Sequence, residues 1–356
     1  MNLLTRHTLK LLLALSIAAL LVSCETVNYY SQAARGQLAI LLGREDILQL
    51  LENPELPQNL RAKFIAVLAM REFAEESLHL PVNDNYLTYV NVNREHVVWN
   101  VFAAPEFSVN PINWCYPIAG CVSYRGYFSE AAALRYAEDL ANRNYDVYTG
   151  GVDAYSTLGW FDDSLLSTVS DRADYQLAAL IFHELAHQVV YVSDDTTFNE
   201  SFATAVERAG LRRWLTATDH AELLAQAATD QARQEQFVTL VAVFRDRLDA
   251  LYQEAIDSEL KRQRKSQLQD ELRADYKMLK QQWNDYSGYD NWFAGSLNNA
   301  QVSTVSSYND LVPYFECMLA SADGDLQTFY AEVRRIASLE TEARDLLIDP
   351  AGCESR

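Results

Sequence analysis

The hydrophobic pattern changes its period three times along the chain. Leu11 to Val22 is an apolar run of about a dozen residues, interrupted only by Ser16. Helical spacing follows over Tyr29 to Leu42 and Glu45 to Leu51, and Pro57-Gln58-Asn59-Leu60 opens a longer helix whose apolar face carries Phe64, Val67, Leu68 and Phe73. From Tyr86 to Tyr127 the pattern becomes an alternation rich in β-formers, as in Tyr86-Leu87-Thr88-Tyr89-Val90 and His96-Val97-Val98-Trp99-Asn100-Val101-Phe102, and predicts strands. Ser129 is a suitable N-cap for a helix over Glu130 to Ala141, and a further β segment is predicted from Val147 to Trp160. From Asp171 onward the helical period dominates. Ala217 to Leu279 is long enough to fold back as an antiparallel helical hairpin, with the basic run Lys261-Arg262-Gln263-Arg264-Lys265 on a solvated face. The predicted fold is α+β and predominantly helical: a small β-rich part over 82–161, then a helical half over 171–356. No repeat, linker or break in composition divides 24–356, so one domain after a leader over 1–23 is expected.

Composition sharpens this picture. With 49% hydrophobic and 11% aromatic residues in 356, the chain can bury a large core, which excludes disorder and a small disulfide scaffold. Arg6 and Lys10 precede the apolar run, which is too short to span a bilayer comfortably and has the length of a secretory h-region. It ends in Leu21-Val22-Ser23-Cys24, which resembles the lipobox of bacterial lipoproteins. Cleavage before Cys24 and lipidation of its sulfur would tether the rest to a membrane surface facing the periplasm. Glu25, standing where an aspartate would retain the protein in the inner membrane, points to the outer membrane. Loss of the leader removes two bases and no acid, so the net charge of −20 becomes −22. Nucleic acid is thereby excluded as a partner.

Four cysteines remain, Cys115, Cys121, Cys317 and Cys353, an even number in a chain expected to be exported. Three pairings are open. Cys115 with Cys121 would close a small loop, and Cys317 with Cys353 would pin the C-terminal tail.

The chemistry is concentrated in His183-Glu184-Leu185-Ala186-His187, set within the helical apolar positions Leu177, Leu180, Ile181, Leu185 and Val189. Residues four apart lie one turn above each other, so both imidazoles point to one side and can hold two corners of a tetrahedral zinc. Glu184 is placed to reach a water on that metal rather than the metal itself, and so to act as general base. A catalytic zinc needs a third protein ligand. No histidine stands six residues after His187 and no glycine three after it. Asn199-Glu200-Ser201-Phe202-Ala203 begins twelve residues on instead. Glu200 is the expected third ligand, as in the gluzincins, whose third ligand is a glutamate on a helix packed against the first. Glu207, two turns later, is either a fallback ligand or a carboxylate that supports a histidine. Asp194 and Asp195 in the intervening segment are read as turn residues.

Several segments together resemble a bacterial family of zinc aminopeptidases. They are Tyr116 to Phe128, Ala154 to Phe161, His183 to His187, Asn199 to Ala203 and Tyr308 to Pro313, spread over most of the mature chain. The Asn-Glu-x-x-Ala form also matches the third-ligand motif of zinc aminopeptidases, although the spacing from His187 is shorter here. The resemblance implies a peptidase acting on peptide substrates with one zinc per chain. Ala154 to Phe161 is a candidate strand lining the cleft, where an extended peptide can bind by backbone hydrogen bonds. Tyr308 is the candidate donor to the oxyanion, since a phenol donates without changing charge. Two alternatives stand beside an aminopeptidase: an envelope endopeptidase, and a non-catalytic scaffold lipoprotein that keeps the metal for structure.

Overall fold

The computed structural model describes residues 26–116, 120–154, 161–306 and 311–348. The fold is α+β and predominantly helical. Cys24, Cys353 and Tyr308 lie outside the described residues, as does most of the Ala154 to Phe161 segment. Among the described residues no helix is long and apolar enough to cross a membrane.

The β-rich part is built on β3 (Val98–Pro105), which pairs antiparallel with β6 (Arg125–Tyr127) and β7 (Tyr145–Val152), giving the order β6-β3-β7. The period of two along β3 sorts its residues between two environments. Val101 and Ala103 turn to the helix α2 (Glu130–Ala141) and pack with Ala133 and Leu140, while Phe102 and Ala104 turn the other way, against Ala300. Ser129 caps α2 as expected, accepting from the Ala132 N–H. The observed strand β7 ends at Val152, short of the predicted range. A second small sheet has the order β1-β2-β8: Glu45–Asp46, Thr88–Val90 and Leu165–Leu166. The predicted helix from Glu45 therefore starts two residues later, because Glu45 and Asp46 pair with Tyr89 and Thr88 and Asp46 becomes the cap. The hairpin β4 (Trp114–Tyr116) and β5 (Gly120–Val122) is closed by a disulfide between Cys115 and Cys121. Cys317 is disulfide-bonded as well.

The main core joins α1 (Gln58–Glu76), α3 (Asp174–Ala186), α4 (Thr196–Ala217), α8 (Val312–Ser321) and α9 (Leu326–Ala337) through Phe64, Met70, Phe182, Phe202, Phe315 and Phe329. A separate core belongs to the predicted hairpin, α5 (Ala221–Gln253) and α6 (Ser258–Gln282), with α7 (Asn299–Ser306) against it. At 33 residues α5 is about 50 Å long.

Polar bonds fix that hairpin to the sheet. Asp146 on β7 accepts from Lys265 Nζ at 2.6 Å and from the Asn299 N–H at 3.0 Å. Asn299 is fully buried: it donates to the carbonyls of Pro105 and Glu106 and accepts from the Tyr252 hydroxyl. Lys265 is accordingly buried rather than solvated, and Arg262 pairs with Glu106. Two of the four bases in the run, Arg262 and Lys265, dock the hairpin onto the β-rich part, while Lys261 and Arg264 bond to Tyr252 and Glu254 within it. A local charge pattern cannot reveal a partner more than a hundred residues away.

Candidate active site

His183 and His187 stand one turn apart near the end of α3. Asp174 in its first turn and the Gln176 side chain, which accepts from the Ala173 N–H, secure the start of that helix. Beyond its end, Gln188 exchanges two hydrogen bonds with the buried Asn85, so the last turn is held from outside. The chain then reverses through 188–195, and Asp195 caps α4 by accepting from the Phe198 N–H at 2.9 Å.

Asn199 gives the Asn-Glu-x-x-Ala motif its local sense. Its buried side chain accepts from the Val192 N–H and donates to the Val192 carbonyl, both at 2.8 Å. This clamp brings the short connection back on itself and sets Glu200 against the histidines. Ala203 is fully buried in the main core, and Gly210 permits close approach further along the helix, since a Cβ there would stand 2.8 Å from Leu78 Cδ1 and 3.0 Å from Phe182 Cδ2. The pairs His187–Glu200 and His183–Glu207 show that α3 and α4 run antiparallel.

Glu200 Oε2 lies 3.3 Å from His183 Nε2, and Glu200 Oε1 lies 3.7 Å from His187 Nε2. One donor atom from each of the three residues falls within 4.8 Å of the others, so the group can hold a metal ion. Glu207 is not in that group; its Oε2 lies 3.0 Å from His183 Nδ1, the far side of the ring. Of its two expected roles, this contact matches the supporting one, a carboxylate that holds the far side of a histidine ring.

The electrostatics agree with a site for a cation. Burial, with the neighbouring His183, pushes His187 down to about 4, so its imidazole is neutral and offers a lone pair; its Nδ1 has no hydrogen-bond partner. Burial alone would lower His183 too, but hydrogen bonds to Glu200 and Glu207 outweigh it and hold that imidazole well above its ordinary value. Burial likewise opposes ionisation of Glu200, yet His183 and His187 keep the carboxyl below its usual range. Glu184 is not in the group that can hold a metal. Burial pushes its carboxyl up to about 7, opposed by His183 and reinforced by Asp163, Glu200 and Glu207.

Two cavities meet at this point, and His183, Glu184, Glu207, Gln234 and Tyr289 line both. The first, about 810 Å³, lies under the sheet and is walled by Val98 and Asn100 of β3, Gly126 of β6 and Tyr124 just before that strand, together with Phe237 and Val238 of α5. Tyr124 is half-buried among these groups, and desolvation with the Glu200 and Glu184 carboxylates keeps its phenol protonated. The disulfide-closed hairpin adds Tyr116 and Val122 to this wall. Asp194 secures that hairpin by accepting from the Cys121 N–H, so it does more than turn the chain. The second cavity, about 720 Å³, runs between α3, α4 and the first half of α5. Sequence reasoning passed over Gln234 and Tyr289 and gave Tyr124 no place in the cleft. For Tyr124 the even-numbered parity of the strand was the available signal.

A family model described as "Putative aminopeptidase" matches residues 28–348. The chain belongs to that family. The match spans both cores, the sheet and the hairpin, so the whole cleft lies within the Putative aminopeptidase region and not the metal-helix motif alone. No curated protein and no solved structure matches the chain.

Proposed function

We propose that this protein is a zinc-dependent aminopeptidase, with His183, His187 and Glu200 as metal ligands and Glu184 as general base. The observation that carries the proposal is the convergence of two imidazole Nε2 atoms and one carboxylate at the junction of two cavities, beside a glutamate whose carboxyl is tuned to about 7. The donor set is chemically apt: imidazole and carboxylate suit zinc, and three ligands leave a position for water or substrate. Zinc bound there supplies a Lewis acid that polarises the scissile carbonyl and makes water more acidic.

The protein's own groups do the rest. Glu184 takes a proton from the attacking water and passes it to the departing amine, work for which a value near the operating pH is suited. Glu207 holds His183 in orientation. Tyr124, protonated and half-buried on the sheet-side cavity, contacts the peptide, while Tyr308 keeps its proposed role as oxyanion donor. The remaining proposals concern placement in the cell: export, lipidation at Cys24 and a periplasm-facing outer-membrane location, supported by the order of charge, apolar run and cysteine at the N-terminus.

A second reading has an observation of its own. The cleft continues past Glu184 on both sides, as an endopeptidase requires. Blocking the N-terminus of a test peptide decides between them: an aminopeptidase loses the substrate, and an endopeptidase still cleaves it. Turnover that persists in Glu184→Gln would sink both readings.

A further inference from the structure

The cavity between α3, α4 and α5 has a charge unlike the rest of the molecule. Four arginines, Arg172, Arg208, Arg212 and Arg233, line it in a chain whose net charge is −20. Three are matched by carboxylates: Arg172 with Asp153 at 2.8 Å, Arg208 with Glu235 at 3.0 Å and Arg233 with Asp230 at 3.1 Å. Arg212 has no hydrogen bond or ion pair from its side chain among the described residues. It is exposed at the cavity wall and keeps its full complement of donors.

Its distance from the chemistry is set by α4. Arg212 follows Glu207 by five residues, about 7.5 Å along the helix axis. Glu207 marks the metal end of the cavity through His183. An extended peptide advances about 3.3 to 3.6 Å per residue, so that rise spans about two residues. The wall also carries apolar side chains, Leu180, Leu211 and Leu224. A planar guanidinium with no internal partner, two residues beyond the reacting centre, suits a carboxylate.

We propose that Arg212 binds the carboxylate of a short peptide, so that the preferred substrates have about three residues: the N-terminal residue under the sheet, the bond to be cut beside Glu184, and the carboxylate on Arg212. This deepens the peptidase reading and rests on it. The carboxylate can be the C-terminal one or an acidic side chain at the same position, and the two are separable by experiment.

The test uses zinc-loaded Glu184→Gln protein and calorimetric binding of leucyl-glycyl-glycine, its C-terminal amide, and the amide of leucyl-glycyl-glutamate. Expected is binding of the free acid about tenfold tighter than its amide, with that preference lost in Arg212→Gln and partly restored in Arg212→Lys. Recovery of affinity by the glutamate amide would assign the carboxylate to a side chain; failure to recover would assign it to the C-terminus. Equal binding of acid and amide, or a preference that survives Arg212→Gln, would overturn the proposal. Wild-type turnover is read separately. No cleavage of any peptide combined with an Arg212-dependent acid preference would discard the peptidase reading and keep the carboxylate site, and no binding of any peptide would discard both.

Discussion

His183 Nδ1 lies 3.0 Å from Glu207 Oε2, and this contact turns the opposite nitrogen of the ring toward Glu200. The two carboxylates thus flank the ring: Glu200 belongs with both histidines to the group that can hold a metal ion, and Glu207 holds the far nitrogen of His183. Glu207→Gln is expected to lower metal affinity by about 10- to 100-fold without abolishing binding. Competition against a calibrated chelator measures this. Unchanged affinity would remove Glu207 from its supporting role.

The sheet-side wall depends on Gly120. Its φ of +72° suits glycine, and a Cβ there would stand 2.5 Å from Asp194 Oδ1, the atom that accepts from the Cys121 N–H. Gly120→Ala should displace the β4–β5 hairpin, raising KM for peptides several-fold while zinc content stays at the wild-type level. Steady-state kinetics with metal analysis on the same preparation tests it, and an unaltered KM would show that the hairpin does not shape substrate binding.

Gly210 sets how closely α4 approaches its neighbours. Branched carbon at this position must displace Leu78 and Phe182, both fully buried, and overpacking of this kind costs about 1–3 kcal/mol. Gly210→Val is expected to lower the thermal midpoint of unfolding by several degrees; calorimetry showing no loss would mean the interface has slack that the packing does not show.

Glu184 couples pH to stability in the metal-free protein. Its carboxyl rises from 4.5 unfolded to about 7 folded, so between those values the native state holds more protons than the unfolded state. Stability from this group therefore falls as pH rises through that window. Glu184→Gln removes the effect. The variant should gain on wild type above pH 7, by about 1–2 kcal/mol after discounting for partial solvent access, and not below pH 4.5. Denaturant titrations at pH 4.5 and 8 read the difference, and equal differences at both would contradict it.

How much of this was legible beforehand follows the range of the forces involved. Helical periodicity exposed α3 and the α5–α6 hairpin, and the four-residue spacing of His183 and His187 put both rings on one side, because such relations are local. Glu200 was reachable through its motif, although the reason for the motif, the Asn199 clamp on Val192, is visible only in three dimensions. Lys265 looked solvated because its partner Asp146 is 119 residues away. The two-sided cleft was hidden for the same reason: Tyr124, Gln234 and Tyr289 come from three separate elements. The start of the helix after Asp46 was misjudged because strand pairing with Thr88 overrides a helical local pattern.

The metal content of the purified protein decides the matter most directly, for wild type beside His183→Ala and Glu200→Ala, with peptide turnover on the same samples. The account predicts about one zinc per wild-type chain, with metal and turnover lost together in both variants. A wild-type protein that cleaves peptides without bound zinc, or a Glu200→Ala variant that retains it in full, would contradict the three-ligand site.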